Sequence, residues 1–132
     1  MDYNQTNKRA RILVIDDEES IRGLLKAVLS KAGHTVLTAE DGEQGIAVAE
    51  ESRPDIIFMD ITMPGMSGYE VTERLKKNPD LTEIPVVFLS GKSAAEDGGR
   101  AFARGGLTYA RKPISPRQVT ELVALTLESI SQ

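Results

Sequence analysis

The stretch Ile56-Ile57-Phe58-Met59-Asp60-Ile61-Thr62-Met63-Pro64-Gly65-Met66-Ser67-Gly68 decides the fold of this chain. It opens with a short apolar run that is too short for a helix and that is bounded on both sides by turn residues. Such a run predicts a buried central strand, which ends on the carboxylate of Asp60. Because ligands bind at the carboxyl ends of the strands in a parallel sheet, we expect Asp60 to point into a functional crevice.

Size and composition limit the class of protein. The chain has 132 residues, of which 40% are apolar and 27% are charged, as is typical of one globular domain. We assign residues 1–10 to a flexible polar tail and residues 11–131 to the domain. The net charge of -4 argues against direct binding of nucleic acid. No apolar stretch is long enough for membrane insertion and the polar start lacks a signal peptide, so we expect a cytoplasmic protein.

Strands and helices alternate along the chain. Besides the central strand, short apolar runs predict strands at residues 11–15, 35–38, 85–89 and 107–110. The segments between and after the strands predict five helices, which implies a parallel sheet with helices on both faces. The fourth helix, to about Arg104, contains Gly98-Gly99, and we expect these glycines to make it unusually dynamic. The only histidine, His34, is expected to be a turn residue.

The last predicted helix carries an apolar stripe and a second face with few charges. Ser115 and Gln118 fit a capping box around Pro116 at the first helical position. The outer face is less charged than a solvated face usually is, which suggests a contact surface. The predicted inner stripe consists of Val119, Leu122, Val123, Thr126, Leu127 and Ile130, and the outer face includes Thr120, Ala124 and Leu125.

Chemically active side chains follow four of the five predicted strands. Asp16 and Asp17 follow the first, Asp60 the third, Ser90 the fourth and Lys112 the fifth. Two like charges about 4 Å apart repel by roughly 4 kcal/mol at an effective dielectric near 20, so clustered carboxylates recruit a cation or a proton. A few oxygen ligands with room for water and phosphate suit Mg²⁺. The alternative is that each aspartate only caps a helix or a loop.

These residues occur in motifs that resemble a known family. The order Val14-Ile15-Asp16-Asp17-Glu18, then residues 60–68, then Phe88-Leu89-Ser90-Gly91, then Tyr109-Ala110-Arg111-Lys112-Pro113 resembles the receiver domain of bacterial two-component response regulators, the CheY-like family. The resemblance implies a flavodoxin-like α/β fold, a doubly wound five-stranded parallel sheet in the order 2-1-3-4-5. It also implies phosphoryl transfer from a phosphohistidine to an aspartate.

The resemblance further implies the ligands of the metal ion and the chemical roles. Asp60 corresponds to the phosphoacceptor, and Lys112 to the lysine that neutralises phosphoryl charge. Mg²⁺ would be held by Asp16, Asp17, Asp60 and the backbone carbonyl of Thr62.

The family's conformational switch can also be placed on this sequence. Ser90 corresponds to the switch hydroxyl, and Tyr109 would rotate into the space that Ser90 leaves. In the family, this switch changes the surface formed by the fourth helix, the fifth strand and the fifth helix. The peptide bond into Pro113 is cis in the family, which is physically plausible only before proline.

These roles predict a regulator whose only catalysis is its own phosphoryl acceptance and autodephosphorylation. The expected donor is a sensor histidine kinase or a histidine phosphotransfer protein. Because the sequence ends just after the fifth helix, we expect a stand-alone regulator that acts on a separate protein target, as a monomer or a phosphorylation-dependent dimer.

Three other classes share parts of this pattern. A pseudo-receiver that acts only as an interaction module would lack an acidic residue or the lysine, and neither is missing. A phosphatase of the haloacid dehalogenase type needs a second aspartate where this chain has Thr62. A flavodoxin-like flavin carrier needs a Ser/Thr/Gly-rich loop after Ile15, where this chain is acidic.

Overall fold

The computed structural model describes residues 9–91 and 108–130, and within them five strands form one parallel sheet. The order across the sheet is β2-β1-β3-β4-β5, so the predicted doubly wound fold and strand order are confirmed. The strands are β1 (Arg11–Ile15), β2 (Thr35–Ala39), β3 (Ile56–Asp60), β4 (Val86–Ser90) and β5 (Thr108–Arg111).

In the described residues, helices connect β1 to β2, β2 to β3 and β3 to β4, and a further helix follows β5. The described helices are α1 (Glu19–Lys31), α2 (Gly42–Ser52), α3 (Gly68–Lys77) and a C-terminal helix (Pro116–Ile130). The predicted fourth helix with Gly98-Gly99, and Leu107 at the start of the predicted fifth strand, lie outside the described residues. In the described ranges, no helix is both long enough and apolar enough to span a bilayer.

The sheet has an apolar core on each face, because successive side chains of a strand point to opposite sides. Ile57 and Met59 of β3 face one core, while Ile56 and Phe58 face the other. All five residues of β3 are buried, as expected for the central strand. One core is closed by α2 and α3 through Ala49, Val71 and Leu75, and the other by α1 and the C-terminal helix through Leu25, Leu29, Val119 and Val123.

Two predicted boundaries are wrong by a residue or a turn. Ala10, which we placed in the tail, is buried because its carbonyl accepts the Thr35 N–H at 2.9 Å and its N–H donates to Nδ1 of His34 at 3.0 Å. Ala10 is therefore part of the packed domain. Ile130, which we placed in the inner stripe, is 51% exposed at the end of the C-terminal helix, so the stripe ends at Leu127.

His34 has a structural role in the turn between α1 and β2. Gly33 adopts a left-handed φ of 100°, and the N–H groups of Gly33 and His34 bond to the carbonyls of Ser30 and Leu29, which is a Schellman motif. Burial lowers the pKa of His34, and its neutral ring accepts the Ala10 N–H. The expectation that His34 is a turn residue is therefore confirmed.

The capping box at the start of α3 brings this helix close to the end of β3. Ser67 Oγ accepts the Glu70 N–H, and the Glu70 carboxylate accepts the Ser67 N–H, each at 3.2 Å. Between them, the Gly68 N–H donates to the carbonyl of Ile61 at 2.9 Å. A Cβ at Gly68 would overlap the carbonyl oxygen of Asp60 and lie 2.9 Å from Cα of Ile61.

Gly68→Ala is therefore expected to destabilise the fold by about 2 kcal/mol, because the overlapping atoms belong to the backbone and cannot rotate away. The matched control is Gly23→Ala on α1, where a Cβ meets nothing within 4 Å. That change should stabilise by about 0.5–1 kcal/mol through helix propensity. Urea denaturation of both variants measures the difference, and equal effects would contradict the close approach at Gly68.

Candidate functional site at the carboxyl edge of the sheet

The structure brings Asp16, Asp60, Ser90 and Lys112 together at one edge of the sheet. Asp60 ends β3, Ser90 ends β4, and Asp16 and Lys112 directly follow β1 and β5. The Lys112 ammonium lies 2.9 Å from Asp16 Oδ2 and 3.4 Å from Asp60 Oδ1. The backbone N–H of Lys112 donates to the backbone carbonyl of Ser90, which is buried, at 2.7 Å. This hydrogen bond anchors the backbone of the lysine to β4.

Three carboxylates form the acidic part of the site. One oxygen each of Asp16, Asp17 and Asp60 lies within 4.8 Å of the others. Asp16 and Asp60 are buried, whereas Asp17 is exposed. The N-cap residue of α1 is Glu18, so neither Asp16 nor Asp17 caps that helix. Asp16 instead accepts the Glu18 N–H through Oδ1 and lies beside the Lys112 ammonium through Oδ2.

Burial and repulsion make ionisation of Asp60 unfavourable. Burial, the charge of Asp16 and a hydrogen bond with Asp17 together raise the pKa of Asp60 to about 7, although Lys112 opposes this. Burial alone would lower the pKa of Lys112, but its hydrogen bonds to Asp16 and Glu18 and the nearby charges raise it. The lysine is thus firmly cationic, and the carboxylates around it still carry uncompensated negative charge.

The remaining predicted residues surround this cluster. Thr62 is exposed, and its N–H donates to Asp60 Oδ1 at 3.3 Å. The Lys112–Pro113 peptide bond is cis. Tyr109 is partly buried on β5, directly opposite Phe88 of β4. The Tyr109 side chain packs against the apolar core that contains Phe88. Phe88 precedes Ser90 by two residues along β4.

Two residues at the site were not assigned a role from the sequence. Glu18 Oε1 lies 3.0 Å from the Lys112 ammonium, and its N–H donates to Asp16 Oδ1 at 2.9 Å. Arg22 of α1 donates to the Asp16 carbonyl at 2.7 Å. Glu18 belongs to the acidic run that follows β1, but the run did not indicate which of its carboxylates contacts Lys112. No sequence pattern indicated a role for Arg22.

Comparison with known proteins assigns the family. The sequence matches the response regulator receiver domain over residues 12–124. The chain belongs to the response regulator receiver family. The residues that meet at the edge of the sheet, Asp16, Asp60 and Lys112, all lie within the matched range.

Relatives of this receiver domain fall into short and long proteins. The chain is 36% identical over 118 residues to protein PilH of Pseudomonas aeruginosa and covers 98% of that protein. It is 38% identical over 117 residues to the alkaline phosphatase synthesis transcriptional regulatory protein PhoP of Bacillus subtilis, of which it covers 48%. These matches span 89% of this chain in both cases. The chain thus spans about half the length of PhoP.

Solved structures show the same fold. Chemotaxis protein CheY4 of Vibrio cholerae superimposes with a TM-score of 0.85 and 28% identity, over 90% of this chain and 99% of CheY4. NtrX of Brucella abortus gives a TM-score of 0.86 and 32% identity, over 92% of this chain but only 27% of NtrX. The receiver fold therefore occurs both as nearly the whole of a chain and as part of a larger one.

Proposed function

We propose that this receiver domain accepts a phosphoryl group on Asp60 from the phosphohistidine of a sensor histidine kinase or a histidine phosphotransfer protein. The observation that carries the proposal is the buried Asp60 carboxylate, which lies among two further carboxylates and 3.4 Å from the Lys112 ammonium. Nucleophile, metal ligands and cation thus occupy one site at the carboxyl edge of the sheet, where α/β proteins bind ligands.

The residues present fit Mg²⁺. Asp16, Asp17, Asp60 and the backbone carbonyl of Thr62 would hold the ion, since Mg²⁺ prefers a small number of oxygen ligands. Burial and the charge of Asp16 raise the pKa of Asp60 even though Lys112 opposes them, which supports a site that favours a further cation. When bound, the ion supplies positive charge to the oxygens of the transferring phosphoryl group.

The chain's own contribution to the transfer is position and charge. A carboxylate oxygen of Asp60 attacks the phosphorus in line and forms a P–O bond. The P–N bond to the donor histidine breaks, and its electron pair stays on the imidazole nitrogen. Lys112 stabilises the negative charge on the phosphoryl oxygens. Later attack by water on phosphorus returns the Asp60 carboxylate and releases inorganic phosphate, which is the autodephosphorylation step.

Phosphorylation adds negative charge and strong acceptor oxygens next to Ser90. In the proposed switch, the Ser90 hydroxyl moves toward the phosphoryl group and Tyr109 rotates inward beside it. Two observations support this: Ser90 is buried at the end of β4, and Tyr109 lies partly buried on the adjacent β5. The change would reach a protein target through β5 and the C-terminal helix, where Leu125 is 64% exposed.

The proposed setting is a cytoplasmic signalling pathway. In this proposal the receiver domain acts on a separate protein target, as a monomer or a phosphorylation-dependent dimer. The acidic balance of the chain supports a protein target instead of direct contact with nucleic acid.

Intact mass spectrometry after incubation with acetyl phosphate tests the proposal. The wild-type protein is expected to gain one phosphoryl group only when Mg²⁺ is present. Asp60→Asn should gain none, whereas Asp80→Asn, which changes an exposed aspartate, should behave as wild type. Absence of any adduct, together with absence of Mg²⁺ binding by calorimetry, would instead support a phosphorylation-independent pseudo-receiver.

A further inference from the structure

We propose that Glu18 restrains phosphorylation by competing with the phosphoryl group for Lys112; this inference rests on the proposed function. The Lys112 ammonium has three N–H donors. It lies 2.9 Å from Asp16 Oδ2, 3.0 Å from Glu18 Oε1 and 3.4 Å from Asp60 Oδ1, and it donates a hydrogen bond to Glu18 Oε1. Phosphorylation converts the Asp60 carboxylate into an acyl phosphate, so a phosphoryl oxygen competes for the Lys112 ammonium with the two carboxylates that remain, those of Asp16 and Glu18.

Glu18 is the carboxylate that gives way most easily. The side chain of Asp16 is fully buried, and that of Asp60 is 4% exposed. Release of Asp16 would leave a buried charge without its cation, which is strongly unfavourable, whereas Asp60 is itself the group that becomes phosphorylated. The Glu18 side chain is 54% exposed, so water can take over its hydrogen bonds when Lys112 leaves.

Glu18 acts on the lysine and not on the metal site. The carboxylates whose oxygens come close enough to share one ion in the described part of the chain are Asp16, Asp17 and Asp60, and Glu18 is not among them. Its carboxylate contacts Lys112, while its N–H supports Asp16 Oδ1 at 2.9 Å. Because a side-chain substitution keeps that N–H, Glu18→Gln leaves the backbone support of Asp16 and removes the negative charge with which Glu18 competes, although its amide oxygen still accepts a hydrogen bond.

The expected result is a gain in phosphoryl affinity. Half-exposed ion pairs contribute up to about 1 kcal/mol, which corresponds to a factor of about five at most. In the presence of saturating Mg²⁺, Glu18→Gln should bind beryllium trifluoride, an analogue of the phosphoryl group, about three-fold more tightly than wild type in a calorimetric titration. Its phosphorylation by acetyl phosphate should also be about three-fold faster, and both gains should shrink at high salt.

Two controls separate competition for Lys112 from a general loss of negative charge. Glu19→Gln removes the same charge one residue further on, at an exposed position in the first turn of α1. Glu18→Gln should bind beryllium trifluoride more tightly than Glu19→Gln does. The two variants should bind Mg²⁺ alone with equal affinity. In a Lys112→Gln background, Glu18→Gln should have no effect beyond that of Glu19→Gln, because the partner through which Glu18 acts is gone.

Several outcomes would overturn the inference. Equal beryllium trifluoride affinities for Glu18→Gln and Glu19→Gln would show that only net charge matters. Weaker binding by Glu18→Gln would show that Glu18 holds Lys112 in the productive position. A wild-type protein that binds Mg²⁺ but neither beryllium trifluoride nor a phosphoryl group would remove the proposed function and this inference with it. If wild type is phosphorylated normally and Glu18→Gln has the same phosphorylation rate and beryllium trifluoride affinity as wild type, the inference is wrong but the proposed function stands.

Discussion

Asp60→Asn is expected to raise the free energy of unfolding of the metal-free protein at pH 8 by about 3 kcal/mol, although it removes the proposed phosphoacceptor. Asp60 is only 3% exposed, and burial, the charge of Asp16 and the hydrogen bond with Asp17 raise its pKa to about 7. An ionised Asp60 is therefore unfavourable in the folded state. The neutral asparagine has nearly the same shape and removes that cost.

The pH dependence gives the sign of this effect. The pKa of Asp60 in the folded state, about 7, is above its ordinary value of 3.8. The stability that the protonated form contributes is therefore complete below about pH 3.8 and is lost as the pH rises to 7. Denaturation in urea without Mg²⁺ should show the gap between Asp60→Asn and wild type growing from pH 5 to pH 8 and levelling off above it.

A matched control and the metal complete this experiment. Asp80→Asn alters a carboxylate that is 59% exposed and paired with Arg53, so it should change stability by less than about 0.5 kcal/mol. Mg²⁺ should stabilise wild type more than Asp60→Asn, since the variant has lost one of its ligands. If Asp60→Asn were no more stable than wild type at pH 8, Lys112 would already compensate the Asp60 charge.

The sequence predicted the sheet well because its signals are local and agree with one another. Short apolar runs ended at Asp60 and Ser90, and the structure ends β3 and β4 at the same residues. The capping box at Ser115 placed the start of the C-terminal helix. The strand order came only from the family resemblance, because hydrophobic periodicity does not tell which parallel strands are neighbours.

The sequence predicted which residues meet at the site but not how they pair. Parallel strands bring their carboxyl ends to one edge, so Asp16, Asp60 and Lys112 were expected to converge. Which carboxylates contact the ammonium depends on side-chain rotamers and on the path of the loop after β1. Glu18 reaches Lys112 across 94 positions of sequence, and no local pattern encodes that contact. The Ala10–His34 hydrogen bond was missed for the same reason.

Lys112→Met is expected to have the opposite effect on stability to Asp60→Asn, a loss of about 3 kcal/mol in the metal-free protein. The Lys112 side chain is 13% exposed and lies within 3.4 Å of Asp16, Glu18 and Asp60. Methionine retains much of the apolar stem but leaves the carboxylates of Asp16 and Asp60 buried without a cation. Phosphoryl acceptance from acetyl phosphate should fall at least ten-fold, since each charge that stabilises the transition state contributes about that much or more.

The interaction between the two variants distinguishes charge balance from simple packing. Lys26→Met changes an exposed lysine of α1 and should leave stability within about 0.5 kcal/mol of wild type. In the Asp60→Asn background, Lys112→Met should destabilise less than in wild type, because one buried carboxylate is already neutral. Saturating Mg²⁺ should likewise reduce the loss, since the ion replaces the missing positive charge. A loss that stays the same in both backgrounds and with Mg²⁺ would mean that Lys112 stabilises the fold through its stem and not through its charge.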